Sequence, residues 1–136
     1  MVRAIVKDPF FLALKSAEAT REDLPIGRDL ADTLRAHREA CVGMAANMIG
    51  VRKRVIIVNM GMADIVMFNP VIVSKSGAYE TEEGCLSLSG TRKTTRYRDI
   101  EVEYLDSAWQ KRRGRFSMWT AQIIQHEIDH CDGIVI

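Results

Sequence analysis

The chain has 136 residues, of which 47% are hydrophobic and 27% charged, and these proportions are ordinary for a globular protein. This length suits one core, so residues 1–136 are predicted to form a single domain. Nineteen basic and 18 acidic residues leave a net charge of +1, which argues against a direct nucleic-acid binder that relies on bulk charge.

No targeting or membrane-spanning pattern is recognisable in the sequence. The N-terminal stretch has basic residues but no sustained apolar core or small-residue cleavage site. No segment approaches the 18 or so apolar residues that a membrane span needs. The three cysteines, Cys41, Cys85 and Cys131, cannot all pair within one chain, so they are predicted to be reduced thiols in the cytoplasm.

The first predicted elements are a helix and two strands. Leucines at helical spacing, with charged residues on the other face, predict a helix over 24–40. The continuous apolar run in KRVIIVN predicts a strand at 53–59. A second strand is predicted at 65–74, broken at Pro70, which has no N–H to donate.

The second half of the chain continues with strands and ends in a helix. IEVEYL, at 100–105, alternates apolar and polar residues and predicts a half-buried strand. A turn at 106–109 leads to a polar return strand at 110–117, and a helix is predicted at 118–131. Strands that cluster between two helices predict an α+β fold and not alternating βαβ units.

The last helix carries the pattern H-E-x-x-H, formed by His126, Glu127 and His130. At 100° per residue the two histidines differ in direction by about 40°, so both imidazoles can reach one ion. Glu127 lies about 60° from His130, where a general base for a water at the metal is needed. The alternative interpretation is a pair of surface histidines, but the isoleucines around them predict a buried helix.

A catalytic metal site usually needs a third protein ligand, and the six residues after His130 include no histidine or glutamate. His37 is predicted to be solvated on the first helix, whereas Cys41 and Cys131 are predicted to serve packing. Cys85 lies in the glycine-bracketed stretch EGCLSLSG, where the backbone can come close to an ion. Cys85 would complete a site of one sulfur and two nitrogens with one open position.

Three stretches, taken together and in order, resemble the motifs of the peptide deformylases. VGMAANMIG, at 42–50, resembles their G-φ-G-φ-A-A-x-Q. EGCLS, at 83–87, matches E-G-C-φ-S, and QHEIDH, at 125–130, contains H-E-x-x-H. The resemblance covers essentially the whole chain. It implies antiparallel or mixed β-sheets packed around a central C-terminal helix, with one N-terminal helix.

The resemblance also implies an activity: metal-dependent hydrolysis that removes the formyl group from N-formylmethionyl peptides. The implied metal ligands are Cys85, His126 and His130, with Glu127 as general acid and base. The implied ion is Fe²⁺, although Ni²⁺, Co²⁺ or Zn²⁺ can occupy such a site, and ligand chemistry alone does not choose among them.

One family position is altered. The resemblance implies that the backbone N–H of Leu86 and the motif-one glutamine stabilise the oxyanion, but Met48 stands at the glutamine position. Methionine has no hydrogen to donate. Asn47 is the neighbouring amide, and in an extended segment it would point to the opposite side.

Several residues are predicted to bind the substrate. On a helix, Trp119 and Ile123 lie within about 20° and 60° of the direction of His126, so they can line an apolar pocket for the methionine side chain. Plain core packing is the alternative for both. Gly43, in motif one, and Arg92, after the cysteine loop, are further predicted substrate contacts, although Arg92 also fits a solvated basic stretch.

Three interpretations of the function remain open. The first is an active deformylase that meets its nascent substrates in the cytoplasm, with a transient ribosome association and no membrane contact. The chain stops at Ile136, before the C-terminal extension that contacts the ribosome in some bacteria. The second is a deformylase-like paralogue with weak or altered activity, suggested by Met48. The third is a zinc-type peptidase or a non-catalytic metal-binding module.

Overall fold

The fold is described for residues 1–135 of a computed structural model. Within that range the helices are α1 (Pro9–Leu12), α2 (Leu24–Ala36) and α3 (Met118–Cys131). The strands are β1 (Gly43–Ala45), β2 (Val55–Asn59), β3 (Asp64–Cys85), β4 (Leu88–Leu105) and β5 (Lys111–Ser117). The strands cluster between α2 and α3, so the predicted α+β fold is confirmed.

The strands form a five-stranded sheet in the order β1-β2-β3-β4-β5. Every neighbouring pair is antiparallel, so the antiparallel alternative holds for this sheet and the mixed one does not. The long strands β3 and β4 form a hairpin whose last pair is Cys85 with Leu88. The hairpin therefore delivers Cys85 to the end of the sheet.

The predicted break at Pro70 is wrong, because β3 continues through this point to Cys85. The register shifts between Phe68 and Val71, which places Pro70 in a β-bulge where no ladder hydrogen bond is required. Asn69 takes the left-handed conformation there, with φ 52°. Its side-chain amide holds the bulge, since it accepts from Ala19 N at 2.7 Å and donates to Ala19 O at 3.0 Å.

Helix α2 is shorter than predicted, because it ends at Ala36 and not at residue 40. The N–H of His37 closes the last turn by donating to the carbonyls of Thr33 and Leu34. None of the residues 37–40 is buried, so no packing supports further helix there.

Apolar side chains fill both faces of the sheet. On the α2 face the buried cluster includes Leu30, Leu34, Met44, Met48 and Phe68. On the α3 face it includes Val58, Met67, Val102, Ile124 and Ile128. Strand β2 contributes to both clusters, which explains why its sequence is continuously apolar and does not alternate.

Helix α3 has the predicted bounds and packs across the sheet. Gln125 fixes it to β4, because its side-chain oxygen accepts from Tyr97 N and its nitrogen donates to Tyr97 O, both at 2.8 Å. This clamp presents one side of the helix to the end of the β3–β4 hairpin. No helix within residues 1–135 is long and apolar enough to cross a membrane.

Candidate active site

The end of β3 and the face of α3 bring Cys85, His126 and His130 together. Cys85 Sγ lies 3.3 Å from His130 Nε2, which lies 3.2 Å from His126 Nε2. One ligand atom from each residue falls within 4.8 Å of the others. Both histidines are buried and Cys85 is half-buried, so the cluster has one side open to solvent.

These separations fit a divalent ion. Ligand atoms about 2.0–2.3 Å from one tetrahedral ion lie roughly 3.3–3.6 Å from each other. A thiolate and two imidazoles suit zinc and iron equally well. Three protein ligands leave a fourth position for water or substrate, as a catalytic site requires.

Glu83 is a site residue for which the sequence suggested no role. Its carboxylate accepts from Arg96 Nε at 2.9 Å and from Arg96 Nη2 at 2.7 Å, and it lies 2.8 Å from His126 Nδ1. Gln122 Nε2 donates to it at 2.8 Å. Two signals were available: Glu83 opens the motif EGCLS, and it lies two residues before Cys85, where alternate residues of a strand share a face.

The hydrogen bonds of Glu83 change the charge state of its neighbours. Burial would raise its pKa, but the bonds from His126, Arg96 and Gln122 lower that pKa to about 2. Burial would likewise lower the pKa of His126, yet hydrogen bonds with Cys85 and Glu83 raise it to about 10. A histidine binds metal without the proton on its ligating nitrogen, so an ion would compete with that proton.

His130 is shifted in the opposite direction. Burial and the positive charges of His126 and Arg96 lower its pKa to about 3, so it is neutral near pH 7. Its other ring nitrogen, Nδ1, is buried without a hydrogen-bond partner among residues 1–135. The two histidines therefore have unlike surroundings.

Glu127 lies beside the cluster and takes no part in it. Burial raises the pKa of its carboxyl to about 7, which is the range in which a group can both accept and return a proton. Gly43 closes over it: a Cβ at Gly43 would lie 3.0 Å from Glu127 Oε2 and 2.7 Å from Ile123 Cγ2. Glycine is required for this approach.

A cavity of about 220 Å³ opens beside the candidate ligands. It is lined by Gly43, Met48, Leu86, Trp119 and Ile123, among others. Trp119 is 59% exposed, whereas Ile123 is buried, so the two lie at different depths. These positions are compatible with a pocket for an apolar side chain.

Arg92 is not among the described residues that line this cavity, and its guanidinium donates to Ser89 O at 3.4 Å. Arg96, from the same basic stretch, is buried and donates through Nη1 to Asp129 Oδ2 at 2.6 Å. The stretch is therefore not solvated throughout.

Met48 faces the cavity and Asn47 does not. The extended backbone assumed for this segment is wrong, because Ala46–Ile49 is a 3-10 turn in which successive side chains differ in direction by about 120°. Met48 Sδ accepts from Ala45 N at 3.5 Å. Asn47 Nδ2 donates to His130 O at 2.9 Å, so it is engaged with α3.

The other sequence candidates for a third ligand lie outside the cluster. Cys131 is fully buried in the α3-side core. His37 follows the end of α2 and is half-buried. Cys41 lines the cavity, but its thiol donates to Gly43 O at 2.7 Å, and burial raises its pKa to about 12.

The fold and the site first define a class: an α+β protein with a candidate three-ligand metal site beside a buried carboxylate, an arrangement that suits metal-dependent hydrolysis. Comparison with known proteins gives the family. The family model for polypeptide deformylase matches residues 5–136, and the chain belongs to this family. The family is metal-dependent, and the expected deformylase enzyme class is confirmed.

Individual relatives agree with this assignment. A peptide deformylase of Clostridium beijerinckii is 56% identical over 136 residues, which cover 100% of both chains. A peptide deformylase of Acinetobacter baumannii, solved with Met-Ala-Ser bound, has a TM-score of 0.88 at 30% identity, covering 99% of this chain and 97% of that one. A peptide deformylase of Legionella pneumophila gives 0.88 at 33% identity, covering 98% and 82%.

Proposed function

We propose that this protein removes the formyl group from N-formylmethionyl peptides, with Cys85, His126 and His130 as the ligands of an Fe²⁺ ion. The observation that carries the proposal is the convergence of these three ligand atoms beside the buried carboxyl of Glu127. The ligand spacing fits an ion, and the raised pKa of Glu127 fits proton transfer near neutral pH.

The bound ion would polarise the formyl carbonyl and make water more acidic. Glu127 accepts the proton of the attacking water and returns it to the leaving amine. Its burial favours this task because desolvation raises the pKa of the carboxyl to about 7 and so makes the carboxylate a better proton acceptor. Gly43 leaves room for Glu127, since a Cβ at this position would lie 3.0 Å from Glu127 Oε2.

The developing oxyanion also needs hydrogen-bond donors. The backbone N–H of Leu86 follows Cys85 in the turn of the hairpin and is the donor we assign. Met48 occupies the position of the second donor in the family and offers none. This observation favours a second candidate function, a deformylase-like protein with weak activity or with a different N-acyl substrate.

The cavity beside the candidate ligands would accommodate the side chain of the first residue of the substrate. Trp119 and Ile123 would contact the methionine side chain, and Gly43 would let the peptide backbone approach. The Acinetobacter relative binds Met-Ala-Ser, a peptide that begins with methionine. Arg92 would contact a longer peptide outside the cavity.

The proposal also covers the setting of the reaction. The substrates would be nascent chains, which places the protein in the cytoplasm with a transient ribosome association. One catalytic domain over residues 1–136 would carry the activity.

The test is formate release from formyl-Met-Ala-Ser by protein purified without oxygen and loaded with Fe²⁺ or Ni²⁺. We expect formate from the loaded protein, and none after chelation or from acetyl-Met-Ala-Ser. Loaded protein that holds one ion per chain and releases no formate from any formyl-Met peptide would establish the altered-function candidate in its place.

The choice of iron has its own test. In air, the Fe²⁺ form should lose activity faster than the Ni²⁺ form, because the metal or Cys85 oxidises. Equal rates of loss for the two forms would contradict an iron-linked decay. Both forms are measured in the same buffer, so that any difference in the rate of loss comes from the metal.

A further inference from the structure

We propose that Glu83 is a positioning residue, which fixes the orientation and tautomer of His126 for metal binding while Arg96 and Gln122 hold Glu83 in place. This inference rests on the metal centre of the proposed function. It concerns a group that is not itself a ligand of the ion and acts through His126.

The carboxylate of Glu83 is fully occupied. A carboxylate offers about four lone-pair sites. Arg96 fills two of them, with Nε 2.9 Å from Oε2 and Nη2 2.7 Å from Oε1. Gln122 Nε2, at 2.8 Å from Oε2, and His126 Nδ1, at 2.8 Å from Oε1, fill the others. Glu83 therefore cannot rotate without breaking several hydrogen bonds at once.

This arrangement decides which nitrogen of His126 is free. An ionised carboxylate only accepts hydrogen bonds, so the proton of neutral His126 belongs on Nδ1. The lone pair is then on Nε2, the atom that lies 3.2 Å from His130 Nε2 in the ligand cluster. Groups that orient a ligand in this way typically contribute 10–100-fold to metal affinity.

Arg96 extends the effect to the helix as a whole. Its guanidinium holds Glu83 on β3 and also Asp129, which is one turn beyond His126 on α3. One buried cation thus links the strand that carries Cys85 to the helix that carries the histidines. His130 has no equivalent partner, because its Nδ1 is unpaired among residues 1–135. Pre-orientation of the site therefore depends on the Glu83 side.

The first test replaces the carboxylate with an amide of the same shape. Glu83→Gln and wild type are titrated with Co²⁺ against a chelator, and binding is followed by the thiolate-to-cobalt absorption of Cys85. We expect the affinity of Glu83→Gln to fall roughly 10–100-fold. Glu80→Gln is the matched control, because Glu80 lies on the same strand with an exposed side chain. Equal affinity of Glu83→Gln and this control would overturn the proposal.

A second measurement reports on the tautomer directly and does not need a variant. In zinc-loaded protein labelled with ¹⁵N-histidine, His126 should show an Nδ1–H that exchanges slowly with solvent. Absence of a protected Nδ1–H on His126 would overturn the proposal.

A second variant, Gln122→Leu, serves if Glu83→Gln fails to fold. It keeps the charges of Glu83 and Arg96 and removes one hydrogen-bond donor to Glu83, so it should weaken Co²⁺ binding several-fold. Wild-type affinity of Gln122→Leu would count against the proposal.

The outcome separates this proposal from the deformylase proposal. Co²⁺ affinity is measured without any substrate. A protein whose Co²⁺ affinity falls in Glu83→Gln but whose wild type releases no formate supports the positioning role and contradicts only the activity. A protein that releases formate while Glu83→Gln binds Co²⁺ normally contradicts only the positioning role.

Discussion

The two sides of the cavity differ in how their polar groups are used. On the sheet-hairpin and α3 side, Glu83, Arg96 and His126 form a buried network in which every oxygen of Glu83 is bonded. On the β1 side, the cavity is lined by apolar or small residues such as Met48 and Val42 and by a thiol, Cys41, which is bonded to a carbonyl. Under the proposed function the first side would hold the metal ion, whereas the second, among the described residues, would give no free side-chain donor to an oxyanion.

This difference implies that metal affinity and the rate of the chemical step depend on different parts of the site. Metal affinity should depend on the hairpin and α3, while the speed of the chemical step should depend on what β1 and the following turn supply. Substitutions of Cys85, Glu127, Met48 and Asn47 test that separation.

Cys85→Ala should abolish stoichiometric metal, because two histidines alone leave the ion without its thiolate. Metal content per chain, measured by mass spectrometry after gel filtration, gives the result. Cys131→Ala is the control, since Cys131 lies on α3 in the core and outside the ligand cluster, and this variant should keep its metal. One tightly held ion in Cys85→Ala would show that the ligand set is wrong.

Glu127→Gln should keep the metal and lose about 10²–10⁴ in turnover, because the amide keeps the shape of the side chain but cannot carry the proton. Formate release and metal content are measured on the same sample. Loss of the ion, or retention of more than about a tenth of the rate, would place Glu127 in a different role.

Met48→Gln should raise kcat/KM by roughly 10-fold or more, because one oxyanion donor can contribute 10²–10³ in rate. The gain should appear mainly in kcat, since the new bond strengthens as charge develops. Met48→Leu, which adds no donor, should give no gain. A fast wild type that Met48→Gln does not improve would mean that another group already donates.

Asn47→Ala should lower the free energy of unfolding by about 1–3 kcal/mol and leave kcat nearly unchanged. The reason is that Asn47 Nδ2 bonds the buried carbonyl of His130 and does not face the cavity. Urea unfolding and steady-state kinetics provide the two readouts. A hundredfold fall in kcat at unchanged stability would identify Asn47 as the missing donor and remove the contrast between the two sides.

Much of the fold could be predicted because its signals are local. Helix α3 and the return strand β5 follow directly from spacing and turn residues, and Ile100 and Val102 are buried as their alternation predicts. The bulge at Pro70 could not be predicted, because it depends on Asn69 meeting Ala19, fifty residues away in the chain. Likewise, only packing decided that the segment after β1 turns as a 3-10 helix.

For the candidate site, residue types and their spacing along the chain were enough to predict the ligand atoms. The H-E-x-x-H spacing places two imidazoles on one helical face, and this geometry is local to one element. The tertiary structure decided the rest, because Cys85 reaches the histidines only through the β3–β4 hairpin, and Glu83 reaches His126 only when that hairpin packs on α3. It also decided the protonation of the site: the burial that raises the pKa of Glu127 and lowers that of His130 comes from distant segments that exclude water.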